Sequence, residues 1–146
     1  MSNAWFYYGL SAAILWGLSY SMSDRLLQSG ISVSLLMLIE AILIIPIVVV
    51  LSLKLSPFQG LDILLHDKKV FVMAMVVAVA AVVGTTLVFL GIEQKNATLV
   101  SLIEISYPIF VCLFSFLFFK DMQLNWATAT GAFLIFAGIA TIYLKG

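Results

Sequence analysis

One stretch limits the fold more than any other: Ala97 to Phe119, ATLVSLIEISYPIFVCLFSFLFF. As a helix, a stretch of this length reaches roughly 34 Å, slightly more than the hydrocarbon thickness of a bilayer. Its first half carries one acid, Glu104. A carboxylate in such a segment costs several kcal/mol to leave in lipid, and spanning does not require it. Glu104 is therefore expected to face protein or a wet cavity and to have a task there.

Four other stretches share this character, at about 5–22, 31–53, 70–92 and 124–144. With 64% hydrophobic and only 10% charged residues, the chain cannot cover a soluble domain with polar groups. The segments do not alternate as barrel strands would. The sequence therefore predicts an all-α membrane protein with five transmembrane helices, termini on opposite sides, and the lipid bilayer as its first partner. A formal net charge of zero argues against nucleic acid. The single cysteine, Cys112, has no intramolecular partner and is read as a packing residue. No basic residue precedes the first apolar segment and no cleavage pattern closes it, so it does not read as a signal peptide.

Taken in order, the first span presents Gly9, Ala13, Gly17 and Ser21 every four residues, a face small enough for close helix packing. Trp16 and Tyr20 form an adjacent stripe, either packing and interfacial residues or a stacking surface for a substrate. Residues 23–30 read as a short polar turn. The second span holds Glu40 and Pro46, the proline marking a kink. Between spans two and three, Phe58 to Leu65 fits a short interfacial helix bounded by Pro57, and His66 reads as a solvated loop residue. The third span has the small pair Ala80 and Gly84, then a polar spot at Thr85-Thr86. A turn at 93–96 makes spans three and four antiparallel neighbours. Asn96-Ala97-Thr98 matches a glycosylation pattern but lies too close to the membrane to carry weight. Pro108 is a second expected kink. Residues 120–123 turn the chain into the fifth span, where Ala127, Gly131 and Gly138 offer another helix-packing surface.

Charge gives almost no orientation. With loops on alternate sides, one side holds Lys54, Lys68, Lys69 and Lys120 and the other Arg25, Lys95 and Lys145, four against three. A chain so balanced is able to insert both ways.

Three sets of residues together carry a likeness. They are Leu15-Trp16-Gly17, then Ala97-Thr98-Leu99-Val100-Ser101-Leu102 leading to Pro108-Ile109-Phe110, and Gly131-Ala132-Phe133-Leu134-Ile135-Phe136-Ala137-Gly138. In this order the chain resembles, over nearly its whole length, a single EamA-type repeat of the drug/metabolite transporter superfamily. Small multidrug resistance proteins are relatives of that superfamily. Lys120-Asp121 stands where the family usually has Gly-Glu. Tyr107 stands where it often has Glu, and Glu40 falls about where many members carry Arg. These departures keep any member's substrate from being carried over. The resemblance implies a small-molecule transporter in the cell membrane, cytoplasmic in a prokaryote, rather than an enzyme, with no cofactor. Most members carry two inverted repeats with the site between them. A single repeat implies an antiparallel homodimer that rebuilds the ten-helix unit; the alternative is a non-transporting or half-transporter membrane subunit that works only beside a different partner chain.

The chemistry available centres on the fourth span. By helical spacing Ser101, Glu104 and Tyr107 share one face with Ala97, Val100, Pro108 and Val111. A low-dielectric site favours the neutral form of a carboxylic acid, which can then hold a proton and release it when a cation arrives. Glu104 is thus the candidate proton and substrate group, unless it is a neutral acid hydrogen-bonded for packing alone. Trp16, Tyr20, Thr85, Ser101 and Tyr107 are the candidate substrate-binding residues around it. Glu40 is either a structural, interhelical hydrogen-bonding residue or a second proton or substrate site. An intramembrane enzyme finds little support, because no His, Cys or metal-ligand pattern accompanies the two acids. Aromatic and acidic groups together lean toward lipophilic cations or amine-bearing metabolites as cargo, exported against protons.

Overall fold

The computed structural model describes residues 4–53, 58–121 and 125–145. Among them every regular element is an α-helix: α1 Ala4–Gln28, α2 Val33–Ser52, α3 Leu61–His66, α4 Lys68–Gln94, α5 Ala97–Glu104, α6 Tyr107–Phe119 and α7 Trp126–Lys145. Among the described residues, four stretches combine the length and apolarity needed to cross a membrane: Val33–Ser52, Lys68–Gln94, Ala97–Phe119 through α5 and α6, and Trp126–Leu144. The protein is a multi-pass helical membrane protein. Helix α1 has the length, with 25 residues. Its tyrosines, tryptophans and serines make it less apolar than the other four.

The chain divides into two compact units. One comprises Met1–Ser21 with Gln94–Gly146, the other Met22–Glu93.

In the second unit, α1 runs past the expected end of its span. The sequence predicts a turn over 23–30, but the helix continues to Gln28. Arg25, Leu26, Leu27 and Gln28 are good helix formers, and Gln28 Nε2 donates to Asp24 Oδ1 one turn back at 2.9 Å. Polarity there marks the end of the apolar stretch, not of the helix. The stop comes at Gly30, which has φ +94°. Its N–H donates to the Leu27 carbonyl, and the Ile31 N–H reaches the Leu26 carbonyl. This pair of bonds caps the last turn and needs a left-handed residue between them. Ser32 then caps α2 by accepting from the Leu35 N–H. Four residues, 29–32, separate the two helices.

Helix α2 buries Val33 and Leu36 at its start, and α4 buries Phe89 and Ile92 near its end. Thr86 Oγ1 joins the two helices, donating to Met37 Sδ at 3.2 Å while also bonding the Val82 carbonyl. Pro46 lies inside α2, which is continuous across it. The short helix expected at 58–65 forms as α3 over Leu61–His66, and His66 Nδ1 bonds the Asp62 carbonyl within it. Its expected boundary at Pro57 lies outside the described residues.

In the first unit, Asn96 caps α5 through Oδ1, which accepts from the Leu99 N–H at 2.9 Å. Helix α5 lies against α7. The fourth apolar stretch is not one helix. It breaks after Glu104 and resumes at Tyr107. Across the break the Ser106 N–H bonds Ile103 O and the Ile109 N–H bonds Ser106 O, three residues apart instead of four. Pro108 supplies the reason: it has no N–H to give the Glu104 carbonyl four residues back, and its ring crowds that carbonyl. Asn125 and Thr128 open α7 with a reciprocal cap, each side chain accepting from the other's backbone N–H at 2.8–2.9 Å. Leu124, the expected first residue of that span, lies outside the described residues.

Candidate functional site

The site is built at the break in the fourth stretch. Glu104 is the last residue of α5 and is half-buried. Its Oε1 accepts a hydrogen bond from the Tyr20 hydroxyl of α1 at 2.9 Å. Tyr20 is buried, with 9% of its surface exposed. Trp16, one turn earlier on α1, tilts against the Tyr20 ring with centroids 5.4 Å apart. An indole, a phenol and a carboxyl group therefore form a connected row from α1 to α5. The indole is the accessible end of that row, at 53% exposure. Such a row offers a π-face and an acid together, the chemistry that attracts organic cations.

The other residues expected around the acid are arranged differently. Ser101 Oγ donates to the Thr98 carbonyl of its own helix at 3.1 Å. Tyr107 begins α6, beyond the break, and is exposed. Regular helical spacing would have stacked it over Glu104, but the spacing is not regular there. Thr85 and Glu40 belong to the other unit and are half-buried.

Glu40 has a context that a scan of its apolar neighbours does not reveal. Val33, Leu36, Met37 and Glu40 fall at helical spacing on one stripe of α2, and Met37 on that stripe is the residue that meets Thr86 of α4. Glu40 extends this stripe by one turn. The small residues expected to pack helices have open surroundings. A Cβ placed on Gly9, Gly17, Gly131 or Gly138 would meet no atom within 4 Å. Ala13 and Ala127 on the same two faces are exposed.

Sequence reasoning singled out both Tyr20 and Glu104 but not their pairing. The two are 84 positions apart, and no spacing rule connects residues on different helices. Thr86 is legible in the sequence as a polar spot, but its partner Met37 is not, for the same reason.

Helices throughout the described residues, with several membrane-spanning stretches, one of them broken beside a half-buried acid, have the general form of a membrane transporter. The chain belongs to the EamA-like transporter family, which it matches over residues 3–144. No curated protein and no solved structure matches it.

Proposed function

We propose that this chain is one half of a proton-coupled exporter of small lipophilic or amine-bearing cations, completed by a second copy inserted in the opposite orientation. In this reading α1 is a fifth span, and Glu104 is the group that protons and cargo share. One observation carries it: a half-buried acid stands at the interruption of a membrane-spanning stretch, joined to an aromatic pair on α1. An interrupted span leaves backbone polar groups at membrane depth, which is tolerated where the backbone lines a cavity or is covered by protein.

The coupling follows from charge. Ionised Glu104 attracts a cation; protonated Glu104 does not. Cargo and proton therefore compete for one carboxyl group, and loss of one accompanies arrival of the other. Trp16 contributes a ring face, and Tyr107, Ser101 and Thr85 are further groups able to line the path. Glu40 is reserved as a second proton site. Gly9, Ala13, Gly17, Ala127, Gly131 and Gly138 form the surfaces on which the second copy packs.

The test is binding of tetraphenylphosphonium and the accompanying proton release between pH 5 and 9. This probe carries charge but no titratable proton, so any pH dependence belongs to the protein. Wild-type affinity should fall as pH is lowered. Glu104→Gln keeps size and removes charge. It should weaken binding about 30-fold at the alkaline end, as removing one member of a buried charge pair costs about 2 kcal/mol or more, and it should abolish proton release. Glu104→Asp should keep coupling with a displaced pH profile. A Glu104→Gln protein that binds the probe and releases protons like wild type would end this reading, and Glu40 would become the residue to test.

A further inference from the structure

The sequence left Tyr20 either a packing residue or a surface on which cargo stacks; its geometry argues for a further task. Its ring is buried and tilts against Trp16, and its hydroxyl is 2.9 Å from Glu104 Oε1. A phenol so enclosed has little face left for a ligand; Trp16, more than half exposed, has far more. The hydroxyl instead acts on the acid. A phenol O–H that donates to one carboxyl oxygen stabilises the ionised form by a charge-assisted hydrogen bond. It also leaves the other oxygen to carry the proton in the neutral form.

We propose that Tyr20 is a positioning residue for Glu104: its hydroxyl holds Oε1, fixes the plane of the carboxyl group, and leaves Oε2 as the atom that exchanges a proton for a cation. The proposal rests on the reading of Glu104 given above. Among the described residues of these helices, titratable groups are few. Helix α5 contains no ionisable side chain besides Glu104, and α6 contains Tyr107 and Cys112. Helix α7, which lies against α5, has none before Tyr143 near its end. On α1 the nearest to Tyr20 are Asp24 and Arg25, both beyond it toward the helix end.

The consequence is specific. Without the Tyr20 hydroxyl the ionised acid loses a donor while its charge and its surroundings stay. The carboxyl group also loses the contact that orients it, so cation binding should weaken several-fold.

The experiment uses the full chain in lipid vesicles and two readouts. Infrared difference spectra between acid and alkaline pH, recorded without ligand, isolate the Glu104 carboxyl C=O band as the one missing in Glu104→Gln. In Tyr20→Phe that band should move to higher wavenumber, and tetraphenylphosphonium binding should weaken several-fold. A band that stays in place, or binding at wild-type strength, overturns the proposal. Should Tyr20→Phe fail to fold, the wild type carrying ring-labelled tyrosine decides instead. The pH step must perturb a tyrosine C–O band in the wild type and leave it unperturbed in Glu104→Gln; any other result counts against the proposal. The two readings fail separately. Probe binding by Glu104→Gln at wild-type strength removes the transport role of the acid, whereas the infrared coupling needs no probe and judges Tyr20 alone.

Discussion

A carboxylic acid in a membrane-spanning stretch stays there only if something replaces the water it has lost. For Glu104 the replacement is the Tyr20 hydroxyl, at 2.9 Å. Tyr107 has no comparable role, being exposed and beyond the helix break. Tyr107→Phe should therefore weaken tetraphenylphosphonium binding by less than about threefold, because only a hydroxyl with access to other partners is lost. An effect as large as that of Glu104→Gln would mean that Tyr107 closes onto the acid during transport. At this scale the sequence was half legible. Acids and aromatics inside apolar runs are conspicuous because lipid makes them costly, so Glu104, Glu40, Trp16 and Tyr20 stood out. Which of them meet depends on helix placement, and residues 84 positions apart carry no local sign of it.

Elements were more legible than contacts, because an apolar run long enough to cross a bilayer has few alternatives to a helix. What the pattern missed were ends and breaks. The stretch 23–28 is polar yet helical, since polarity sets depth in the membrane while helix formation depends on backbone propensity and caps. The true stop is Gly30 in the left-handed region. Gly30→Ala should destabilise the protein by about 1 kcal/mol, the cost of placing a Cβ in that conformation, read as an earlier thermal unfolding transition in detergent. An unchanged transition would show that the turn is free to adopt another shape. Pro108 marks the break correctly, but its effect lies upstream, at residues 105–106. Pro108→Ala restores an N–H for the Glu104 carbonyl and removes the ring clash, so α5 and α6 should fuse and gain up to about 3 kcal/mol of helix stability. The same fusion turns Tyr107 and the rest of α6 relative to Glu104. Pro108→Ala should therefore melt later and bind the cation probe more weakly. A variant that melts later but binds normally would detach the break from the site.

For the whole molecule, the exposed apolar surface bears on the proposed second copy. In the most apolar windows of Lys68–Gln94, Ala97–Phe119 and Trp126–Leu144 no residue is buried, and the glycines of α1 and α7 meet nothing within 4 Å. Lipid can cover apolar side chains, but a stripe of small residues gains most from another helix laid close against it. The proposed second copy would supply such a helix, and a contact between two chains leaves no spacing in either one. Charge offers the way to ask. With seven Lys and Arg divided nearly evenly between the two sides, two or three added lysines outweigh the native bias and should fix the orientation. One variant would carry them beside Lys95 and Lys145, the other beside Lys68 and Lys120. Each should insert one way only, as shown by labelling of single cysteines placed near Ser2 and Lys145. Labelling of both termini on the same face in one molecule would remove α1 from the set of spans. If two oppositely inserted copies form the transporter, each variant alone should bind little tetraphenylphosphonium, and expressing both together should restore wild-type binding. A single-orientation variant that binds and exports as well as wild type would rule out the antiparallel pair.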